Sequence, residues 1–487
     1  MRLARDVVVL GLAALSLGAC ADAHLRKPQI GLPSAFETPS GAADASLSPA
    51  SLDRWWTLFP DEQLHQLVEQ ALASAPTALT ALARLDEAGA TRRSRLDTFL
   101  PAGNLQGNAV DQHTTITGVP GGFPTGGGGG GFLVGGATQT YSLAFNPSWE
   151  LDVFGRSRAG ARGVNADFAA TRFNVEASRM SLAAQVAQGL FQARALAMQL
   201  DDAQETRRIR AETARVGRIR AERGLGPQSD SARFQADLDS AEAEVARLTA
   251  ALAASKRTLL VLLGRGADPL ESLPIEARAD APPPVPASAP GELLARRPDV
   301  REAEARLREE AETVTVARLA LFPKFTLNPG ASISKVTGAS DYTTKLWSIG
   351  IGAAMPILNQ AQLRADFHAE RARGEQAVIA YEKAVQTAYG EAENALTTLQ
   401  ADQARLVSLA SAETGARYAF DAASRGYQSG LTDVAAMLDA ERTWRAARTA
   451  LTGARAQALQ DAVAAFKALG GGWSPPPLEN AAADPSR

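Results

Sequence analysis

The chain has 487 residues, with 50 Lys and Arg against 53 Asp and Glu and a net charge of −3. The two signs are interspersed, so no basic footprint fits nucleic acid, and a single cysteine excludes a disulfide within the chain. Such a length exceeds one ordinary core, and 6% aromatics beside abundant alanine favour long helices packed along small side chains.

Arg2 and Arg5 precede an apolar run from Val7 to Leu17 that stops at small residues, which predicts a secretory signal peptide over 1–19. The run holds about a dozen residues, whereas a membrane-crossing helix needs about 20. Leu17, Gly18, Ala19 and Cys20 resemble the lipobox of bacterial lipoproteins, in which the cysteine is acylated and becomes the first mature residue. Ala21 follows, and the absence of Asp there resembles a signal for outer-membrane sorting. Each buried CH₂ adds about 0.8 kcal/mol of membrane affinity, so two or three acyl chains hold firmly. Residues 20–50, rich in Pro, Ala and Ser without an apolar period, are expected to form an extended, lipid-anchored tether.

The body is outlined by where proline is missing, because proline inside a helix costs about 3 kcal/mol. No proline falls between Pro147 and Pro227, between Pro227 and Pro269, or between Pro356 and Pro475. Helices filling these windows would be far longer than those of a small domain. Val385, Ala388, Ala392, Ala395 and Leu399 recur at alternating steps of three and four, a coiled-coil stripe dominated by small residues.

Two stretches carry period two instead. Tyr141, Leu143, Phe145, Pro147 and Trp149 alternate with Ser142, Ala144, Asn146, Ser148 and Glu150, and Trp347, Ile349, Ile351, Ala353 and Met355 alternate with Ser348, Gly350 and Gly352. Weaker partner strands begin near Ala102 and Phe325, giving two hairpins, the first with a Gly-rich turn from Gly118 to Gly136. Both a lipid-facing barrel strand and a half-buried soluble sheet fit this alternation. Four strands cannot close a barrel, so a membrane-spanning chain must oligomerise.

The chain also repeats itself. Ala81-Leu82-Ala83-Arg84-Leu85 returns as Ala303-Glu304-Ala305-Arg306-Leu307, and Pro76 and Pro101 return as Pro298 and Pro323, all 222 residues on. Arg158-Ala159 and Gly224-Leu225 return as Arg364-Ala365 and Gly430-Leu431, 206 residues on. The first structural repeat is therefore set at 51–272, with a helix, a β-hairpin at about 102–150 and a long helical hairpin at about 156–264. A Pro-rich linker at 273–290 leads to the second repeat at 291–472, with a hairpin at about 324–356 and a helical hairpin at about 357–469. Residues 473–487, with Pro475-Pro476-Pro477, are expected to be a disordered tail.

With the duplication in hand, the landmarks resemble the TolC-like outer-membrane efflux proteins, in their lipoprotein (NodT-type) branch. The marks are Trp55-Trp56 with Phe59, the run from Trp149 to Arg156, Arg296-Arg297-Pro298-Asp299-Val300, and the run from Ala468 to Trp473. One departure is Asn359-Gln360-Ala361-Gln362, where the family usually has a Gly-Gly-Arg run. The resemblance implies a mainly α fold with a small β part: a homotrimer whose strands close one transmembrane β-barrel and whose helices close a long periplasmic coiled-coil barrel. It implies a passive duct of a tripartite efflux system, working with a periplasmic adaptor and a resistance-nodulation-division (RND) pump of the inner membrane, which supplies the energy. Its outer-membrane lipid contact would include the covalent lipid on Cys20, with no other cofactor.

By the same resemblance the two Gly-Leu turns are periplasmic tips that meet the adaptor, which makes Gly224, Leu225, Gly430 and Leu431 docking candidates. Glycine at these turns also supplies a positive φ. Tyr427 and Asp439 match the family's periplasmic gate, with Asp433 an acidic addition, while Thr432 and Ala436 replace its arginine and one of its aspartates. Three copies of Asp439 about a threefold axis would form a negative ring favouring cations. His24, His65, His113 and His368 lack metal-ligand spacing, and no nucleophile elbow or phosphate loop occurs, so neither a metal site nor an enzyme is expected. Two other functions use the same features: an exit duct for type I protein secretion, and a non-conducting, lipid-tethered coiled-coil scaffold. The alternating aromatic strands speak against the scaffold.

Overall fold

The computed structural model describes residues 25–38, 43–44, 49–114, 136–286, 289–338 and 341–473. The signal segment, Cys20, much of the tether, nearly all of the Gly-rich turn and the tail from 474 lie outside the described residues.

Local chemistry sets where the elements begin and end. Helix α1 (Glu62–Ser74) opens on Asp61, whose carboxylate accepts from the Leu64 N–H at 3.2 Å, and α2 (Pro76–Asp97) opens on a proline that needs no helical N–H partner. Strands β1 (Ala102–Thr114) and β2 (Gly136–Leu151) follow, then helices α3 (Arg156–Glu222) and α4 (Gln228–Leu262). The second half supplies α5 (Pro298–Leu319), β3 (Lys324–Thr337), β4 (Tyr342–Ala354), α6 (Gln360–Gln428) and α7 (Val434–Ala468). Helix α5 starts and ends 222 residues after α2, and α7 starts and ends 206 residues after α4, so the sequence repeat is a repeat of backbone.

Four helix ends share one device. Gly224, Gly264, Gly430 and Gly470 have φ between +69° and +77°, and the next residue's N–H reaches back five positions, as Leu225 to the Arg220 carbonyl and Leu431 to the Gly426 carbonyl, both at 2.8 Å. This Schellman cap satisfies carbonyls the helix leaves open, in a conformation that a Cβ would penalise by about 1–2 kcal/mol.

Two compact units are present, and each draws on both halves of the repeat. One comprises 88–168 and 305–378 with the described residues up to 27; the other comprises 28–87, 169–304 and the chain from 379. The first holds one antiparallel sheet in the order β1-β2-β3-β4. Pairing resumes at the same register either side of Pro147 and Pro329, where neither residue has an N–H to donate. Among the described residues β1 pairs only with β2 and β4 only with β3, so both are edge strands. At the start of α3, Arg156 Nε donates to Glu150 at 2.8 Å while Asp152 accepts from the Ser157 and Arg158 N–H groups at 2.9 and 3.1 Å. The corresponding start of α6 has no such pair; there Gln360 Nε2 donates to the Pro356 carbonyl at 2.7 Å, a different build at the point where the sequence departs from the family.

The second unit carries the main core. Trp55, Phe59, Phe191 and Phe466 interlock, with Trp55 stacked on Phe466 at 5.7 Å, around buried Leu64, Leu190, Leu259, Ala462 and Val463. Arg194 from α3 crosses this core to Asp61, donating from Nη2 to Oδ1 at 3.0 Å and from Nη1 to Oδ2, with both side chains almost wholly buried. The seam read from the sequence is also internal, since Val385, Ala388, Ala392 and Leu399 are buried.

Three segments depart from expectation. The described part of the tether is not idle: Gln29 N–H donates to Glu382 at 2.7 Å, Thr38 N–H to Glu393 at 2.7 Å, and Phe36 stacks on Tyr389 of α6. The linker contributes buried Leu273 and Val285, and Val285–Pro286 pairs in parallel with Ala43–Asp44. Trp473, assigned to the tail, is buried, donating from Nε1 to the Arg296 carbonyl at 2.6 Å. In each case backbone donors and apolar side chains find partners far away in sequence, which composition does not reveal.

Two buried carboxylates should respond to pH in opposite senses. Burial alone would push Asp61 up, but the Arg194 guanidinium, the Leu64 N–H and Arg278 outweigh it and hold Asp61 below the usual carboxylate range. Its contribution is therefore full above pH about 3.9 and is lost as pH falls through the depressed value. Burial and the neighbouring Asp461 carboxylate push Asp402 up to about 6, which makes its ionised form a cost at higher pH. In thermal melts of the purified protein at pH 7.5, Asp61→Asn should cost about 3 kcal/mol or more by leaving Arg194 uncompensated, whereas Asp402→Asn should be neutral or stabilising.

Candidate functional site

Two surfaces offer function: the faces of the sheet and the tips of the helical hairpins. Register assigns the faces, because directly paired residues point the same way. Leu105, Phe145, Ala331 and Trp347 form one cross-sheet row, and Trp149, Leu327 and Ile351 another, with Leu143 and Ile333 leading from the first row toward the Tyr141 end. Trp347, Ile349 and Ile351 are each more than 70% exposed, an apolar face of the kind soluble monomers seldom leave open, with Lys345 beside Ile333 and Lys335 beside Tyr141 entering it toward the Tyr141 end.

Apart from Leu346, Val110 and Val336, the opposite face is polar and small. It carries Asn104, Gln106, Asn146, Ser148, Asn328 and Ser332, and Ser148 Oγ donates to Asn328 Oδ1 at 2.9 Å. Gly330 belongs to this face, and a Cβ there would stand 3.0 Å from Ser348 Oγ. From Tyr141 to Leu151 the strand advances about 33 Å at about 3.3 Å per residue. Tilted by about 40°, it would rise about 25 Å, the height of the apolar band of an outer-membrane barrel.

The tips are built by the Schellman caps. Gly224 and Gly430 have open space around the position of a Cβ, so their need for glycine comes from φ and not from crowding. The cap pushes the following leucine outward, leaving Leu225 66% and Leu431 87% exposed. Beneath them Phe234, Ala214, Met437 and Leu438 form a small core against which Tyr427 and Val434 pack. Gly217 makes room for the Phe234 ring and Gly426 for the Thr432 side chain.

The gate candidates have separate roles here. Tyr427 is tied across the two hairpins, its OH accepting from Arg220 Nη1 at 2.9 Å. Asp433 caps α7, accepting from the Ala436 N–H at 2.7 Å. Asp439 is exposed further along α7, and its carbonyl accepts from Thr443 Oγ1 at 3.0 Å. Sequence reasoning passed over Arg220 and Phe234, whose partners lie about 200 residues away; only the Arg-rich first tip signalled them. It also passed over Trp444, stacked on Phe420 at 5.2 Å and donating to Glu413 at 2.9 Å.

The capping role yields a local test. Asp433→Ala should cost about 1 kcal/mol and fray the first turn of α7, read as faster amide exchange at 434–437. The first turn of α4 should be unaffected, because its N-cap Pro227 makes no side-chain bond.

The sequence matches the family profile described as outer membrane efflux protein over residues 67–265 and 289–471, one match in each half. It is similar to the pyoverdine export outer membrane protein OpmQ of Pseudomonas aeruginosa, at 29% identity over 95% of this chain and 96% of that protein. It is also similar to the cation efflux system protein CusC of Escherichia coli, at 24% identity over 94% and 97%. Among solved structures, the outer-membrane channel OprN superposes with a TM-score of 0.80 at 27% identity, covering 93% of this chain and all of that one. The open-state MtrE outer-membrane channel of Neisseria gonorrhoeae gives 0.78 at 24% identity, over 92% and 98%.

Proposed function

The chain belongs to the outer membrane efflux protein family, a family of outer-membrane channel proteins, and from that premise we propose that three copies assemble into a passive duct completed by a periplasmic adaptor and an RND-type inner-membrane pump. It serves as the outer-membrane component of an efflux system. The observation that carries the assembly is a four-stranded sheet with one mainly apolar exposed face, one mainly polar face and two edges that pair with no other strand among the described residues. In hydrocarbon such edges are not tolerated. Two copies would supply eight strands, whose interior side chains fill, whereas three supply twelve and leave an aqueous lumen lined by the small polar face.

Energy must then come from elsewhere, and the pump is its source. The exposed Leu225 and Leu431, each presented by the same glycine cap, are the docking points for the adaptor, with Gly224 and Gly430 setting their geometry. Tyr427 and Asp439, supported by the Asp433 cap, form the gate at the periplasmic end. Cys20 carries the lipid that adds a second hold on the outer membrane.

Placing a charge on the apolar face should cost about 2–4 kcal/mol at the bilayer midplane, for Phe145→Arg or Ile351→Arg, while Ser148→Arg on the lumen face should be milder. Heat-resistant trimer on a gel measures both, and equal losses on the two faces would contradict the assignment. Cys20→Ser should abolish palmitate incorporation while leaving some protein in the membrane through its barrel; label retained by the Ser variant would overturn the lipid anchor.

A further inference from the structure

The two tips, alike in backbone, are opposite in charge. Because α4 and α7 keep an offset of 206 residues from first residue to last, each position of the first tip has a counterpart in the second. Between 218 and 233, Arg218, Arg220, Arg223 and Arg233 stand against Glu222 and Asp230. Over the matching stretch 424–439 only Arg425 stands against Asp433 and Asp439. The four arginines of the first tip and both aspartates of the second are exposed. Asp439 has Arg233 as its counterpart, 206 residues earlier.

Inside one copy the tips already touch, through the Phe234, Met437 and Leu438 core and the bond from Arg220 to the Tyr427 hydroxyl. That bond uses a neutral acceptor. Among the described residues no ion pair joins 218–233 to 424–439; Arg218 pairs only within its own tip, with Glu222 at 3.9 Å. The charge difference between the tips is therefore not discharged within the copy.

We infer that the basic first tip of each copy docks against the acidic second tip of the next copy, with Arg233 in the same ring as Asp439, so that the constriction carries alternating charge in place of a purely negative ring. This rests on the trimeric-channel reading. Around a threefold axis, duplicated protomers present first and second tips in turn, and each second tip has a first tip on both sides: one from its own chain, one from a second copy. Charge complementarity identifies that neighbour. Arg233 thereby tempers the cation preference that Asp439 alone would impose. Attraction between exposed charges is screened, since the Debye length falls from about 10 Å at 0.1 M to about 3 Å at 1 M salt. Closure should accordingly loosen in high salt.

The test uses the full-length protein, purified as heat-resistant trimer from outer membranes and placed in planar lipid bilayers under a KCl gradient. Arg233→Gln should raise the K⁺ to Cl⁻ permeability ratio about threefold, and Arg233→Glu more, with a larger closed-state conductance. Arg233→Lys, which keeps the charge, should behave as the parent. The swap R233D/D439R should return the ratio to within about twofold of the parent, which a merely structural role for Arg233 would not produce. If Arg233→Gln and Arg233→Glu leave selectivity and closed conductance unchanged while Asp439→Ala shifts them, the alternating ring is wrong and the Asp439 gate stands. If Asp439→Ala is also silent, the gate assignment falls with it, and a trimer that forms no pores would overturn the channel reading itself.

Discussion

Backbone N–H and C=O groups cannot go unpaired in hydrocarbon, and among the described residues the sheet ends on two strands that each have an unpaired side. No rearrangement within four strands removes those edges, because eight are needed for the smallest closed barrel. The remedy has to be another copy. The strand directions permit it: β1 and β4 run antiparallel to one another across the sheet, so the β4 edge of one copy and the β1 edge of the next meet as an antiparallel pair. On the proposed assembly, oligomerisation follows from strand count, and a lumen lined by Asn146, Ser148, Asn328 and Gly330 would follow from register.

Duplication lets one set of local rules build the chain twice. Proline starts α2 and α5, and a glycine cap ends both helices of each helical hairpin. Where the halves differ, the difference is chemical and local. Glu150 pairs with Arg156 at the first strand-to-helix junction, while the second uses the Gln360 amide. Pro227 opens α4 without a side-chain bond, while Asp433 opens α7 with one. The backbone tolerates such exchanges because each end needs only that its open N–H and C=O groups be satisfied, not that they be satisfied in one way.

What the sequence made legible was what depends on near neighbours. Alternation at Tyr141–Trp149 and Trp347–Met355 predicted the strands and their faces, the proline gaps predicted the long helices, and Gly224-Leu225 and Gly430-Leu431 predicted the tips. The Asp433 cap was legible too, an aspartate directly before a helix start, yet the family resemblance drew attention to its charge. Hidden were the contacts between residues far apart in the chain. Nothing local to Arg194 says that it will be buried against Asp61, or to Trp473 that it will close on Arg296. The tether misled for the same reason: a Pro- and Ala-rich segment has no period of its own, but its N–H groups are satisfied by Glu382 and Glu393 of α6.

A duct has no reacting atoms to align, so its specificity must reside in whatever changes the energy of passage or of opening. Along the seam this leaves little scope, since Ala388 and Ala392 are fully buried and any larger side chain would force the helices apart. The tips are different. Their backbone is fixed by glycine caps and their small core by Phe234, Met437 and Leu438, but their outward side chains are free of packing constraint. Charge can therefore diverge there without disturbing the fold, and it has: arginine on the first tip stands where aspartate stands on the second. On the proposed assembly, tips of like sign would repel where copies meet, whereas tips of opposite sign would attract there. Arginine at 233 and aspartate at 439 are the pairing of charges that the proposed ring, closed from the copies of one chain, would favour.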